Sequence, residues 1–192
     1  MTRKLVVSTY CSVDGVVQDP VGMENSGLGD WTGPFDRGPD GEHIMLEELR
    51  AADICLLGRT TYEGFAAVWP TIDDPDGFAG KLNTMRKYVA TNTLKQAGWE
   101  NTSVLSGDVV DAVRALKAES GGHILIYGSA GLVHSLFPHG LIDQVHLTIY
   151  PTVLGRGTRM FPPNYSTVLE LKELKQLGSG IVHTVYQSVA LA

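Results

Sequence analysis

The sequence lacks the long apolar segments that would direct it to or through a membrane. No apolar run reaches the roughly 18 residues that a membrane-spanning helix needs. The apolar stretch near the N-terminus is too short for a signal peptide, because Asp14 interrupts it early. We therefore expect a cytoplasmic protein with no membrane partner.

Cysteine and concentrated positive charge are also scarce. Cys11 and Cys55 are the only cysteines, they form no C-x-x-C pair, and the six histidines show no metal-ligand spacing. We therefore predict two small buried hydrophobic residues and no metal site. The formal net charge is -6, which argues against a nucleic-acid partner, because phosphate binding needs clustered Lys and Arg. A local basic pocket for a phosphorylated cofactor is still compatible with this charge.

The order of apolar patterns predicts an α/β fold with a central, mostly parallel sheet flanked by helices. Strands alternate with helices as far as residue 137, and strands alone follow. Gly178-Ser179-Gly180 separates the last two alternating runs, which predicts an antiparallel C-terminal hairpin. The 192 residues suffice for a single domain, 1–192, with its own core. The predicted strands are 4–10, 54–57, 87–91, 102–105, 123–127, 144–153, 169–177 and 181–189; the predicted helices are 42–50, 62–68, 78–84, 109–118 and 130–137.

Side chains at two helix starts suggest caps. Asp108 precedes the apolar helix pattern 109–118 and is predicted to accept hydrogen bonds from its first turn. Thr60 or Thr61 is predicted to cap the helix at 62–68 in the same way.

Residues 19–40 form a long glycine-rich segment that contains three prolines and few aliphatic residues. A loop of this length inside a compact domain is often functional. Trp31 and Phe35 are its prominent aromatic residues. Their rings can stack on a planar substrate, or they can anchor the loop by hydrophobic packing, and the sequence leaves both roles open.

Three apolar strands end in small, polar or glycine-rich turns, which points to a nucleotide site. Ligands of open α/β sheets bind at the carboxyl ends of the strands, and free N–H groups at a helix start favour phosphate. Arg59 adds a planar cation that suits phosphate oxygens. No G-x-G-x-x-G occurs, so a standard Rossmann site is not predicted. The candidate cofactor-binding residues are Gly58, Arg59, Thr60, Thr61, Thr91, Asn92, Thr93, Gly128, Ser129, Ala130, Gly131 and Leu132.

These turns and other segments resemble the dihydrofolate reductase-like superfamily. Leu56–Glu63 is similar to its G-R-x-T segment, and Tyr127–Leu132 is similar to its second glycine turn. Leu147-Thr148 followed by Phe161-Pro162 resembles its late strand. The S-x-D-G turn and the P-T-V-L-G-R-G run resemble the reductase domain of the riboflavin-pathway deaminase/reductase proteins; they occupy Ser12–Gly15 and Pro151–Gly157.

The resemblance covers residues 4 to 189 and has three departures. Ser129 stands where the classical enzymes carry a second glycine, and the glycine-rich loop does not match their lid. The deaminase half is absent from this sequence, since neither H-x-E nor P-C-x-x-C occurs.

The resemblance implies an NADPH-dependent reductase that transfers a hydride to a small pterin- or pyrimidine-like heterocycle. It also implies a homodimer. Arg59 with the polar triplet 91–93 favours NADP over NAD, and no acidic residue follows the second strand. Two rivals remain: a nucleotide-binding sensor without turnover, and a true dihydrofolate reductase.

Reduction also needs a proton source, and two acids are candidates. Asp14 can donate a proton, or it can bond its own turn backbone and shape the loop. Glu42 falls near the place of the acid in the first helix of the classical enzymes, or it complements that helix dipole. Thr148 can bind the substrate, as the resemblance implies, or it can pack within the sheet.

Overall fold

The computed structural model describes residues 2–105 and 107–189, and these contain eight strands and five α-helices. The strands are β1 (Leu5–Ser12), β2 (Ala52–Gly58), β3 (Arg86–Ala90), β4 (Thr102–Leu105), β5 (His123–Tyr127), β6 (Gln144–Tyr150), β7 (Leu169–Gln176) and β8 (Val182–Ser188). The helices are α1 (Gly38–Arg50), α2 (Arg59–Val68), α3 (Phe78–Thr84), α4 (Val109–Ala118) and α5 (Ala130–Leu136). No helix within these ranges is both long and apolar enough to span a bilayer.

All eight strands belong to one sheet with the order β4-β3-β2-β5-β1-β6-β8-β7. Every pairing from β4 to β6 is parallel, whereas β8 runs antiparallel to both β6 and β7. The predicted fold class is therefore confirmed. Because β1 to β5 are parallel, their carboxyl ends meet at one edge of the sheet, where the predicted turns lie.

Alternate residues of the central strands enter two cores on opposite faces of the sheet. In β2, Leu56 packs with the core that α4 and α5 cover, and Leu57 packs with the core under α1, α2 and α3. Both side chains are fully buried, and burial of each contributes about 1.5–3 kcal/mol. Because alternate residues enter two buried cores, both faces of β2 are buried and its sequence is a continuous apolar run.

Of the two predicted helix caps, one is present and the other is not. Asp108 caps α4 as predicted, because its carboxylate accepts hydrogen bonds from the N–H groups of Val110 (2.8 Å) and Asp111 (3.1 Å). The predicted threonine cap of α2 is wrong. Strand β2 runs directly into α2 through Gly58, which is extended and supplies no side-chain cap. The first-turn N–H groups of α2 thus remain available to a ligand.

Candidate functional site

A cleft of about 620 Å³ opens at the carboxyl ends of β1 to β5. Its walls come from the turns after β2, β3 and β5, from the start of α4 and from the loop after β1. The lining residues are Val17, Gln18, Glu24, Gly58, Arg59, Thr60, Thr61, Ala90, Thr91, Asn92, Leu105, Gly107, Asp108, Val109, Ser129, Ala130, Gly131, Leu132, Ser135 and Thr158.

The predicted cofactor residues converge on this cleft. All of them line it except Gly128 and Thr93. Gly128 belongs to the turn after β5 and has a φ of 51°, a left-handed conformation that glycine adopts without strain. Thr93 accepts a hydrogen bond from the Arg59 guanidinium. The structure therefore brings together residues that lie more than 70 positions apart in the sequence.

Ser129 connects the two glycine turns. Its hydroxyl accepts a hydrogen bond from the Gly58 N–H (2.9 Å) and lies 3.0 Å from the Thr61 hydroxyl. Ser129 itself has a φ of 55°, the left-handed region that favours glycine. Ser129, which stands where the classical enzymes have a glycine, therefore fixes the spacing between α2 and the turn after β5.

Arg59 lies at the start of α2 and is half-exposed at the cleft wall. Its Nε donates to Glu63 Oε1 at 2.7 Å, one turn further along α2. Its Nη1 donates to the Thr93 hydroxyl, which joins α2 to the turn after β3. These two contacts hold the guanidinium beside the cleft, with donors left over for an anion.

The loop after β1 contributes an acid to the cleft that sequence reasoning missed. Glu24 lines the cleft, and the N–H of Glu24 donates to Asp19 Oδ1 at 2.8 Å. Partial desolvation at the cleft mouth and the charge of Asp19 raise the pKa of the Glu24 carboxyl. Its position near the middle of a glycine-rich loop carries no local pattern that would have identified it.

Asp14 lies outside the cleft lining and closes a turn. Its carboxylate accepts hydrogen bonds from the Ser12 hydroxyl (2.7 Å) and from the N–H groups of Leu154 (3.1 Å) and Gly155 (2.9 Å). These bonds lower the pKa of Asp14 to about 2, opposite to what a proton donor needs. Asp14 therefore shapes the loop, as the second alternative predicts, and its lowered pKa disfavours the predicted role as a proton donor.

Glu42 also lies away from the cleft. It is on α1, where its side chain is 68% exposed and pairs with Arg37 at 2.5 Å. The helix begins at Gly38, so Glu42 falls in its second turn and faces solvent. This exposed position disfavours Glu42 as the catalytic acid, which stays a prediction.

Trp31 and Phe35 anchor the long loop rather than line the cleft. Both rings pack edge-on against Tyr150, with centroid separations of 5.8 Å. Trp31 is buried, and its indole N–H donates to the Gln18 carbonyl at 2.9 Å. The structure shows the anchoring alternative, and the predicted stacking on a substrate stays a prediction.

Thr148 packs within the sheet and is likewise absent from the cleft lining. It is buried on β6, and its hydroxyl lies 3.2 Å from His183 Nδ1 on the neighbouring β8. The structure shows the packing alternative for Thr148, and its predicted substrate contact stays a prediction.

Comparison with known proteins decides the family. The model of the family described as the RibD C-terminal domain matches residues 3–183, which is nearly the whole chain. This chain belongs to the RibD C-terminal domain family.

Two curated relatives from Bacillus subtilis (strain 168) match this chain over nearly its whole length. The uncharacterized protein YwjB is 28% identical over 182 residues, covering 94% of this chain and 96% of its own. The uncharacterized protein YyaP is 25% identical over 189 residues, covering 96% and 94%.

Solved structures of similar fold agree with the RibD C-terminal domain assignment. A protein described as a putative riboflavin biosynthesis protein from Shewanella sp. PV-4 has a TM-score of 0.75 at 20% identity, covering 98% of this chain and 99% of its own. A Thermotoga maritima deaminase/reductase of the same fold has a TM-score of 0.64 at 13% identity; the match covers 98% of this chain and 57% of that one. The predicted resemblance to the dihydrofolate reductase-like superfamily is confirmed.

Loss of the Ser129 hydrogen bonds is expected to destabilise this RibD C-terminal domain. Replacing Ser129 by alanine removes the hydroxyl and leaves the Gly58 N–H without that acceptor, so we expect the free energy of unfolding to fall by about 1–2 kcal/mol. Ser103→Ala on the exposed face of β4 is the matched control, with an expected change within about 0.5 kcal/mol. Denaturant unfolding measures both variants. Equal stability of the two would show that Ser129 does not link the turns.

Proposed function

We propose that this RibD C-terminal domain is an NADPH-dependent reductase that transfers a hydride to a small pyrimidine- or pterin-like heterocycle. One observation carries the proposal: three strand-end turns converge on a single cleft, with Arg59 and the uncapped start of α2 in its wall. Family membership supports the reductase class.

The donor set of the cleft fits a phosphorylated dinucleotide. The first-turn N–H groups of α2 have no side-chain cap. A Cβ added to Gly131, at the start of α5, would meet open space, so the backbone at Gly131 is accessible. The hydroxyls of Thr61 and Thr91 line the same cleft and suit ribose or phosphate oxygens. Bound NADPH would supply the hydride, whereas the protein supplies position and electrostatics.

Arg59 is the residue proposed to distinguish NADPH from NADH. Its guanidinium, held by Glu63 and Thr93, provides a planar cation at the cleft edge. We expect Arg59→Ala to weaken NADPH binding by about 1.5–3 kcal/mol, or roughly tenfold to a hundredfold, with a smaller effect on NADH. Tryptophan fluorescence titration with each cofactor measures the difference.

The control for this variant is Arg50→Ala, since Arg50 is also exposed and ion-paired on a helix but lies outside the cleft lining. We expect the control to bind both cofactors as the wild type does. Equal loss of both cofactors in Arg59→Ala would show that Arg59 does not read the additional phosphate.

A pyrimidine-like substrate is supported by the proteins of similar fold. The Thermotoga maritima structure carries the name 5-amino-6-(5-phosphoribosylamino)uracil reductase, and a structure from Corynebacterium diphtheriae is described as pyrimidine reductase-like. The latter has a TM-score of 0.61 at 15% identity and covers 98% of this chain and 93% of its own.

Glu24 is the proposed proton donor for this reaction. Of the two acids that line the cleft, Asp108 is engaged in capping α4, whereas Glu24 has a raised pKa. A raised pKa keeps the carboxyl protonated nearer to neutral pH, which a general acid requires.

Loss of the near-ultraviolet absorbance of NADPH, measured against a panel of reducible pyrimidines and pterins including dihydrofolate, tests turnover directly. Oxidation of NADPH by a pyrimidine substrate is the expected result. Tight binding of NADPH without oxidation by any candidate would overturn the reductase proposal and favour a nucleotide sensor. Turnover restricted to dihydrofolate would favour a folate reductase.

A further inference from the structure

A second polar cluster lies within the sheet face that α1 covers, outside the cleft lining. His146 on β6 lies beside Ser8 on β1, and Thr148 on β6 lies opposite His183 on β8. Residues 146 and 148 are two positions apart, so they share one face of the strand. Glu48 on α1 reaches the same face and contacts this cluster.

The ligand atoms of Glu48, His146 and His183 lie close together. Glu48 Oε1 is 2.6 Å from His146 Nδ1 and 3.6 Å from His183 Nε2. One potential ligand atom from each residue lies within 4.8 Å of the others. The three side chains are only 8%, 13% and 3% exposed, respectively. Two imidazoles and a carboxylate therefore face one another in a nearly buried position.

Neighbouring hydroxyls orient two of these ligands from behind. The Ser8 hydroxyl donates to Glu48 Oε2 at 2.7 Å, which leaves Oε1 toward the histidines. The Thr148 hydroxyl lies 3.2 Å from His183 Nδ1, which leaves Nε2 toward Glu48. Metal-binding histidines and carboxylates are held in this way by outer hydrogen bonds.

The cluster also retains buried polar atoms that the described residues do not satisfy. His146 Nε2 and the Tyr127 hydroxyl have no hydrogen-bond partner among the residues that the structure describes. Tyr127 is buried on β5 directly beside Ser8. Buried polar groups are normally satisfied, so these two atoms leave the cluster with polar capacity that no described residue uses.

We propose that Glu48, His146 and His183 bind one divalent transition-metal ion, with Zn²⁺ as the first candidate. Two imidazole nitrogens and one carboxylate oxygen form a known zinc ligand set, and three protein ligands leave a fourth position open. Ligand atoms on a tetrahedral zinc ion lie roughly 3.3 Å apart. The observed 2.6 and 3.6 Å separations from Glu48 bracket that value, and the two histidine ligand atoms lie within 4.8 Å of each other.

Zinc titration of the chelator-stripped protein tests this site. We expect saturable uptake of one ion per chain, together with a higher unfolding midpoint when zinc is present. Glu48→Gln and His183→Gln each remove one ligand and should abolish saturable binding. His43→Gln, an exposed histidine on the same helix as Glu48, should bind zinc as the wild type does. Circular dichroism verifies that each variant is folded, and His146→Gln replaces any that is not.

Cobalt substitution in the wild-type protein provides an independent measurement. Nitrogen and oxygen ligands should give visible Co²⁺ bands without a thiolate charge-transfer band. Such a thiolate band would assign the ion to Cys11 or Cys55 and overturn the proposal. Absence of saturable zinc uptake by the folded wild type, or equal uptake by the glutamine variants, would also overturn it. None of these measurements depends on NADPH, so the reductase proposal is tested separately.

Discussion

Replacing Lys87 by methionine is expected to lower the free energy of unfolding by about 3 kcal/mol, because several buried acceptors lose their donor. Lys87 is fully buried on β3. Its ammonium donates to the carbonyls of Leu82 (2.9 Å), Asn83 (2.8 Å) and Met85 (2.9 Å) at the end of α3. It also lies 4.6 Å from the ring centroid of Trp99, a cation–π contact.

Lys95→Met is the matched control, because Lys95 is exposed. We expect its unfolding free energy to stay within about 0.5 kcal/mol of the wild type. Urea unfolding at constant pH, with the denaturant slope compared between variants, measures the effect. Equal stability of Lys87→Met and the control would show that the three carbonyls find other donors.

Lys87 also predicts a pH dependence with a definite sign. Burial lowers the pKa of Lys87 to about 8 from its ordinary value of 10.5. Between these values the unfolded chain binds the proton more tightly, so the wild-type free energy of unfolding should rise as the pH increases from about 8 to 10.5. Lys87→Met should lose this contribution. A wild type and variant with parallel pH profiles would contradict the assigned pKa.

The sequence predicted the parts of the fold that local pattern determines. The spans of β5 and α4 and the Asp108 cap follow from apolar periodicity and from a short polar residue at the helix start. Lys87, in contrast, is a charged residue inside a strand, and its burial depends on α3 ending beside it. That arrangement is tertiary, so periodicity does not reveal it.

The candidate site was predictable where it consists of turns and unpredictable where it depends on packing. The turns around Gly58 and Ser129 carry recognisable composition, and they converge in the structure. His146 and His183 lie 37 positions apart and meet only through the pairing of β6 with β8, which no local spacing indicates. Trp31 was ambiguous because an aromatic residue in a loop can face either a ligand or Tyr150.

The candidate proton donor shows most clearly that local sequence pattern does not reveal tertiary packing. The resemblance places Glu42 near the first-helix acid of the classical enzymes, but the start of α1 at Gly38 directs it to solvent. Glu24 reaches the cleft because Asp19, buried beneath the loop, accepts hydrogen bonds from the N–H of Glu24 and from the Ser26 hydroxyl. Such loop geometry is set by individual side-chain contacts rather than by a repeating pattern.

Under the proposed function, Glu24→Gln should reduce kcat about 100-fold, because general acid catalysis contributes at least that factor. Glutamine keeps the size and a hydrogen-bond donor but has no proton to transfer. The Glu24 side chain is exposed at the cleft mouth, so we expect the free energy of NADPH binding to change by no more than about 0.5 kcal/mol. Glu47→Gln on the outer side of α1 is the control and should keep the wild-type kcat.

The pH profile of kcat distinguishes proton donation from a role in folding the loop. Since a general acid must be protonated, wild-type kcat should fall as the pH rises through the raised pKa of Glu24. Glu24→Gln should lose this decline and keep only its low residual rate. A variant with reduced kcat and an unchanged profile would show that Glu24 positions the loop while another group donates the proton. A variant with wild-type kcat would exclude Glu24 from the chemical step.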